Sequence, residues 1–526
     1  MSETNNYAYE ADWRQYAFDE QPSGFASEED LANQYTVVNL DDDTPLEAGG
    51  IPIASDGHYA IINTENEHAK IFGATSSKKT RTLILPLMTI LARARESMIV
   101  LDIKGELSDG VTFPEVRSLL EANGYQCRFF NLRDMNGDGF NILLEPYRLY
   151  KAGQKDEAIV MVNNIVNALA SIYHGTSADP FWEMTARQYL AAIMILLFEI
   201  CQDPRKINMH SVASYTDFNS CEDMRRIAEL ITAESNIMTM LRNVTSEPEK
   251  TRMSTLATVN SMVTVFLENE KLLKMLSHST FDFHELSKKP TVLFMIVPDE
   301  VDTYSGIVGL MLSQASATLV QDAYKNGGKL PIRVNMICDE FNNYYVPNMM
   351  RSISAHRSRN IRWFIVSQSE KQLQSCYPKE ADTITANCTN TFFLSSPEMA
   401  LMESLSKDAG YTTITPDGSP KPILSVADLQ GLKKGWTHTD VYFTSGNTHY
   451  VSKLPDITGY SFLKKYGRPS RIPTRTFPVP PIYPSSKMLE DVRAMRYAAD
   501  EKTGDRGVDS VDEELARKFD EIFGNI

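Results

Sequence analysis

No stretch of this chain is long and apolar enough to span a bilayer. The longest uninterrupted apolar run, residues 189–198, is about half the roughly 20 residues a membrane helix needs, and it reads as a buried core helix. The N-terminus is polar and acidic and has no apolar signal-peptide region. Cysteine is scarce: the six thiols at 127, 201, 221, 338, 376 and 388 include no C-x-x-C pair. That spacing argues against a zinc site and against a disulfide framework, and it points to a reducing cytoplasm. No internal repeat is evident. What remains is ordinary for a soluble globular protein, with 42% hydrophobic and 23% charged residues. A length of 526 residues leaves room for two or three domains.

Basic charge is lacking at one end only. Residues 1–50 hold 12 of the 68 acidic side chains and one of the 52 basic ones, so this segment carries −11 of the net −16 and the rest only −5. Overall acidity therefore does not exclude nucleic-acid contact by the body of the chain. It describes an acidic arm, read here as mostly disordered, that repels phosphate backbones or occupies a basic surface.

Beyond the arm, strand and helix signals alternate. Strands are expected at 59–63, 69–72, 98–101 and 127–131, with a helix beginning near Lys79 that Pro86 kinks or shortens. From about 146 to 285 strand signals vanish and helical spacing takes over, with Asp179 as N-cap and Pro180 as first residue of one helix. The alternation resumes with strands at 291–297, 332–338, 361–367 and 391–394, a helix over 304–325, and a hairpin of 440–444 and 449–452 turning at Ser445-Gly446-Asn447. This predicts an α/β domain over 51–145 and 286–466 with a parallel sheet, interrupted by an inserted all-α domain over 146–285. Residues 467–526 read as a Pro-rich linker or surface strap, a charged helix over 486–497, and a last short helix over 513–523.

One segment carries chemistry by its spacing. Gly73-Ala74-Thr75-Ser76-Ser77-Lys78-Lys79-Thr80-Arg81 follows a strand and opens a helix. It matches the phosphate-binding pattern G-x-x-x-x-G-K-[ST] except that Lys78 stands at the second glycine. Such a loop aims backbone N–H groups at phosphate oxygens, with Lys79 reaching the β- and γ-phosphates and Thr80 ligating Mg²⁺. The matching acids close the apolar strand ending at Cys338: Asp339 to hold the Mg²⁺ shell and Glu340 to polarise the attacking water. Gln368 ends a further strand, where an amide is either placed to sense the γ-phosphate or orient water, or is an ordinary strand-end residue. The basic run Arg351, His356, Arg357, Arg359 and Arg362 has three readings: a solvated helix face, an arginine finger reaching a neighbouring subunit, or a DNA-phosphate contact.

Several of these segments together resemble the VirD4/TraG family of type IV secretion coupling proteins. Gly73-Ala-Thr with Lys79-Thr80 looks like the family's G-A-T-x-S-G-K, and Leu101-Asp-Ile-Lys-Gly-Glu-Leu107 like its L-D-x-K-G-E-L. Phe130-Asn-Leu132 with Gly139-Phe-Asn141 resembles N-L-x-x…G-x-N-P, with Ile142 where the proline is usual. Asp179-Pro-Phe-Trp182 matches D-P-F-W, Cys338-Asp-Glu-Phe341 resembles L-D-E-F, and His356-Arg-Ser-Arg-Asn-Ile361 resembles G-R-S-R-G-I. Ser367-Gln368-Ser369 and Asn387-Cys388 with Phe393-Leu394 complete the series, which spans about residues 57–465 in family order. The resemblance implies a RecA/FtsK-like P-loop domain with an inserted all-α domain for substrate recognition. It also implies ATP and Mg²⁺ as ligands, ring-shaped hexamers, and a place at the cytoplasmic face of the membrane. There such proteins recruit relaxase–DNA complexes or protein substrates to a secretion channel and couple ATP hydrolysis to transfer.

Two departures bear on function. Family members normally begin with transmembrane helices, whereas this chain has an acidic arm, so membrane contact is expected only through a partner. Lys78 in place of the P-loop glycine costs roughly 1–3 kcal/mol if a left-handed backbone is needed there, and its bulk threatens close approach of a phosphate. A cytoplasmic, weakened ATPase is one reading. A non-hydrolysing substrate adaptor of the secretion complex is the other, and a non-secretory DNA motor on the same core ranks third.

Overall fold

The computed structural model describes residues 24–172, 180–231, 235–267, 269–298, 304–412 and 421–503. The expected N-cap Asp179 and the helix over 513–523 lie outside them. The chain separates into two compact units, one made of Met1–Phe129, Phe283–Asp299 and Ser316–Ile472, the other of Phe130–Asp282, Glu300–Ala315 and Pro473–Ile526. The change of character expected near 146 therefore falls earlier in space, and the described residues from Pro473 onward group with the helices.

The first unit is built on parallel strands. Ala69–Gly73 (β4) lies between Ile361–Ser367 (β10) and Asn390–Ser395 (β11), parallel to both. Val334–Cys338 (β9) runs beside β10, followed by Ser97–Asp102 (β5) and Thr291–Ile296 (β8), again all parallel. Every residue of β5, β8, β9 and β10 is buried. Such near-continuous apolar runs follow from a sheet covered on both faces. Gln126–Asn131 (β6) extends the sheet beyond β8, and Asn136–Gly137 (β7) pairs antiparallel with the end of β6. At the opposite edge His438–Ser445 (β14) and Thr448–Pro455 (β15) form the expected hairpin, with Gly446 at φ +58 in its two-residue turn.

Residues 24–50 correct the expectation of a disordered arm over 1–50. Ser27 caps the helix Glu28–Gln34 (α1) in a capping box with Asp30, and Leu31 of that helix is fully buried. Thr36–Asn39 (β1) and Ile51–Ser55 (β2) flank Tyr59–Asn63 (β3) in a separate antiparallel sheet. Burial of Leu31, Val38 and Leu40 stabilises elements that their polar composition conceals.

Pro86 does not end the helix after β4. Thr80–Ile84 winds as a π-helical turn and continues without a break into the α-helix Leu85–Arg93 (α2). Leu85 N–H bonds back to the Thr80 carbonyl, five residues earlier. The wider turn gives room where the proline ring would otherwise press on the turn before it.

The second unit is helical, with long helices at Lys155–Ile172, Pro180–Ile200 and Glu249–Leu267 and shorter ones between. Residues 473–484 carry no regular structure and strap onto it: Asn208 Nδ2 donates to the Pro481 carbonyl at 3.0 Å and Tyr483 N to Ser211 Oγ at 3.0 Å. The helix Ser485–Thr503 follows, tied by Ser485 Oγ to Asp223 at 2.8 Å. No described helix is long and apolar enough to cross a membrane.

Candidate nucleotide-binding site

At the C-terminal ends of β4, β10, β9 and β5 the first unit holds a cavity of about 530 Å³, within the usual range for a small-molecule site. Residues 75–81 of the loop after β4 line it, together with Asp102, Lys104, Asp339, Glu340, Gln368 and Lys434.

Gly73 is required by close approach. A Cβ there would lie 2.4 Å from Ser77 Oγ and 2.7 Å from Lys79 Cγ, so the loop folds over the end of β4 only because nothing projects from that position. Ala74 N is bonded to the Ser395 carbonyl, and Ser77 N to the Ala74 carbonyl, which closes the loop's first turn. Ser77 Oγ is buried and has no hydrogen-bond partner in the described structure. An orphaned donor inside a cavity at a helix N-terminus fits an anionic ligand bearing phosphate oxygens.

Lys79 is buried, and its ammonium lies 2.5 Å from the Gly73 carbonyl and 3.8 Å from Glu340 Oε1. Gln368 Nε2 donates to both Glu340 oxygens at 3.1 and 3.0 Å, and Thr75 Oγ1 donates to Gln368 Oε1 at 3.3 Å. Lys79, Glu340, Gln368 and Thr75 thus form one connected polar group. The strand order is β4-β10-β9, so the Gln368 strand stands between the loop strand and the acid strand. Glu340 adopts a left-handed backbone, φ +48, a cost typical of residues held for function.

Asp339 sits beside Glu340, whose N–H it accepts at 3.0 Å. Removal from water pushes its carboxyl up to about 6, against the pull of the Lys79 ammonium and with a further push from Glu340. Asp102, at the end of β5, is also raised by burial. Its carboxylate accepts from Leu107 N, Ser108 N and Ser108 Oγ at 3.1, 2.9 and 2.7 Å, which folds the 103–108 loop along the cavity wall. An acid closing an apolar strand is the same signal that marked Asp339. Lys434 had no such signal, because it comes from a distant loop.

The expectation that Lys78 crowds the phosphates is not met. Its backbone is left-handed, φ +69, which is the conformation a glycine at this position supplies freely. The side chain leads away, however: the ammonium bonds the Gly435 and Trp436 carbonyls at 2.7 and 3.2 Å and lies 3.9 Å from Asp456. Arg81 is also committed to Asp456, by two hydrogen bonds of 2.7 Å.

The basic run divides. Arg362 is buried, paired with Glu96 at 2.8 Å and bonded to Asn335, and so is neither a finger nor a DNA contact. His356 is buried against Trp363. Arg357 is exposed beside Glu67 at 3.9 Å, and Arg359 bonds the Ala355 carbonyl at 2.6 Å. Both precede β10, whereas Gln368 follows it. Seven strand residues, roughly 23 Å, separate them from the cavity of their own chain. All six cysteines are free thiols.

The fold is that of a RecA-like P-loop domain with an all-α domain. The chain belongs to the type IV secretory system conjugative DNA transfer family, whose model matches residues 19–431. Among solved structures it is similar to the bacterial conjugative coupling protein TrwBdeltaN70 in its unbound form, at 15% identity over 80% of this chain and 90% of that one, TM-score 0.53. It is similar also to the plasmid coupling protein TrwB with the non-hydrolysable ATP analogue ADPNP, at 15% identity over 88% and 95%, TM-score 0.55. TrwB with ADP and Mg²⁺ gives 14% identity over 88% and 95%, TM-score 0.54. A search of curated proteins returns no match.

Proposed function

We propose that this chain is the ATP-hydrolysing coupling protein of a type IV secretion system, recruiting DNA, a relaxase–DNA complex or protein substrates to the secretion channel. The observation that carries the reading is the convergence of Lys79, Glu340 and Gln368 on the loop after β4, in a chain of the conjugative DNA transfer family. The TrwB structures with an ATP analogue and with ADP and Mg²⁺ support the same choice of ligand.

In this reading the loop N–H groups of residues 74–80 and the Lys79 ammonium bind the phosphates. Thr80 and Asp339 hold Mg²⁺, which when bound neutralises charge on the phosphate oxygens. Gln368 orients a water against Glu340, whose carboxylate takes the proton as the water attacks. Arg357 and Arg359, on the far rim of the sheet, serve another copy's site in a ring, a hexamer on the family pattern. The chain works at the inner face of the membrane, held there through a partner.

The test is ATP hydrolysis by wild type and Glu340→Gln, with and without single- and double-stranded DNA. DNA-stimulated turnover that disappears in the variant establishes the motor. A folded wild type that binds ATP without turnover, with or without DNA, establishes the non-hydrolysing adaptor instead.

A further inference from the structure

The loop after β4 has two flanks. On one, Thr75 meets Gln368, which carries Glu340. On the other, Lys78 meets a tight turn from a distant part of the sequence. That turn is built with care: Lys434 bridges Thr439, Gly435 N bonds the His438 carbonyl at 2.8 Å, and Lys433 and Asp440 bond each other in both directions at 2.8 Å. A Cβ at Gly435 would lie 2.7 Å from the His438 carbonyl, so the turn closes only with glycine. Asp456 N bonds the Thr437 carbonyl at 2.7 Å, and its side chain grips Arg81.

The fixed turn displays Trp436 at 94% exposure, the most exposed large hydrophobic residue described. An indole left in water forgoes the gain of burial, roughly 25 cal/mol per Å² of apolar surface. The Lys78 ammonium sits 5.8 Å from the ring centroid, and Lys434, two residues away on the same turn, lines the cavity.

We propose that Trp436 is the nucleobase-stacking residue of this site, with Lys78 holding its turn against the phosphate loop. The proposal rests on the nucleotide reading above. The γ-phosphate end of a nucleotide is drawn to the Lys79 ammonium, on the flank where Gln368 and Glu340 stand. The ribose and base therefore leave by the second, where Lys434 lines the cavity and the nearly bare Trp436 ring, two residues on, stands by the Lys78 ammonium. Stacking on an aromatic face tolerates any base, so the shelf serves adenine and guanine alike.

The test is equilibrium binding of ATP, GTP and inorganic tripolyphosphate to wild type, Trp436→Ala and Trp436→Phe, read by calorimetry. Fluorescence of wild type minus Trp436→Phe isolates the one indole. The expected result is a loss of about tenfold in affinity for ATP and GTP in Trp436→Ala, most of it recovered in Trp436→Phe. Tripolyphosphate affinity stays unchanged and ATP quenches the Trp436 emission. Equal ATP affinities in wild type and Trp436→Ala overturn the proposal. So does a parallel loss for tripolyphosphate, which makes the turn a support of the phosphate loop only. Loss of single-stranded oligonucleotide binding with ATP binding intact assigns the ring to nucleic acid and overturns it too. A wild type that binds neither ATP nor tripolyphosphate refutes the nucleotide reading itself.

Discussion

Glu340 gives both carboxylate oxygens to the Gln368 amide, at 3.1 and 3.0 Å, and one of the same oxygens lies 3.8 Å from the Lys79 ammonium. A nucleotide therefore competes with Glu340 for Lys79. Glu340→Gln is expected to keep or modestly raise ATP affinity while lowering turnover by about 10²–10⁴-fold, the usual worth of a general base. Calorimetric titration and a phosphate-release assay on the same preparation separate the two effects. A variant with weakened binding and normal turnover would remove Glu340 from the chemistry.

Lys78→Gly is expected to destabilise the protein rather than to repair its site. Glycine relieves left-handed strain of roughly 1–2 kcal/mol. It also removes charged hydrogen bonds to two carbonyls from a side chain only 17% exposed, each worth about 1.5–3 kcal/mol. The net expectation is a loss of about 1–5 kcal/mol in urea unfolding, with tripolyphosphate affinity changed by less than about threefold. A variant that gains stability and binds tripolyphosphate tenfold tighter would restore the view of Lys78 as an obstruction.

Acid is expected to unfold this protein through two histidines. His68 Nδ1 accepts from Trp363 N at 3.0 Å while Nε2 donates to the Ile353 carbonyl at 2.8 Å, and Trp363 Nε1 donates to His356 Nδ1 at 2.8 Å. Burial lowers His68 to about 4 and His356 to about 3. Both bind protons less readily folded than unfolded. Their contribution is therefore complete above the unfolded value of about 6.5 and is lost as pH falls towards 4 and then 3. For His68 alone this amounts to about 3 kcal/mol. Urea midpoints at pH 7 and pH 5 check it: the drop between them should shrink in His68→Gln.

Arg357→Ala and Arg359→Ala are expected to leave ATP affinity unchanged and to reduce turnover at least tenfold, because in the proposed ring each serves another copy's nucleotide. Mixing Arg357→Ala with Glu340→Gln should restore part of the activity that each lacks alone. No recovery in mixtures, with subunit exchange demonstrated, would exclude action across a subunit boundary.

Much of this architecture is legible in the order of the residues. Strands β4, β5 and β8 to β11 are read directly because a sheet covered on both faces demands unbroken apolar segments. Gly73, Lys79, Asp339, Glu340 and Gln368 stand where strands end, which is where a parallel sheet offers its side chains to a ligand. The helix α1 and strand β1 escaped because short polar segments gain their stability from a few buried contacts, at Leu31, Val38 and the neighbouring Leu40. Arg362 looked like part of an exposed basic run, yet it alternates into the interior of β10 and meets Glu96 there.

The sequence by itself determined that a loop of the P-loop pattern follows β4 and which acids and amide face it, since those depend on local spacing and strand ends. It also determined that Lys78 stands where the loop's geometry favours glycine. What only the tertiary structure decided is where the Lys78 side chain goes. Its partners are the carbonyls of Gly435 and Trp436 and the carboxylate of Asp456, more than 350 residues away along the chain. No local pattern encodes that meeting, because it follows from the pairing of β11 with both β4 and β14, which carries the distant turn to the flank of the loop.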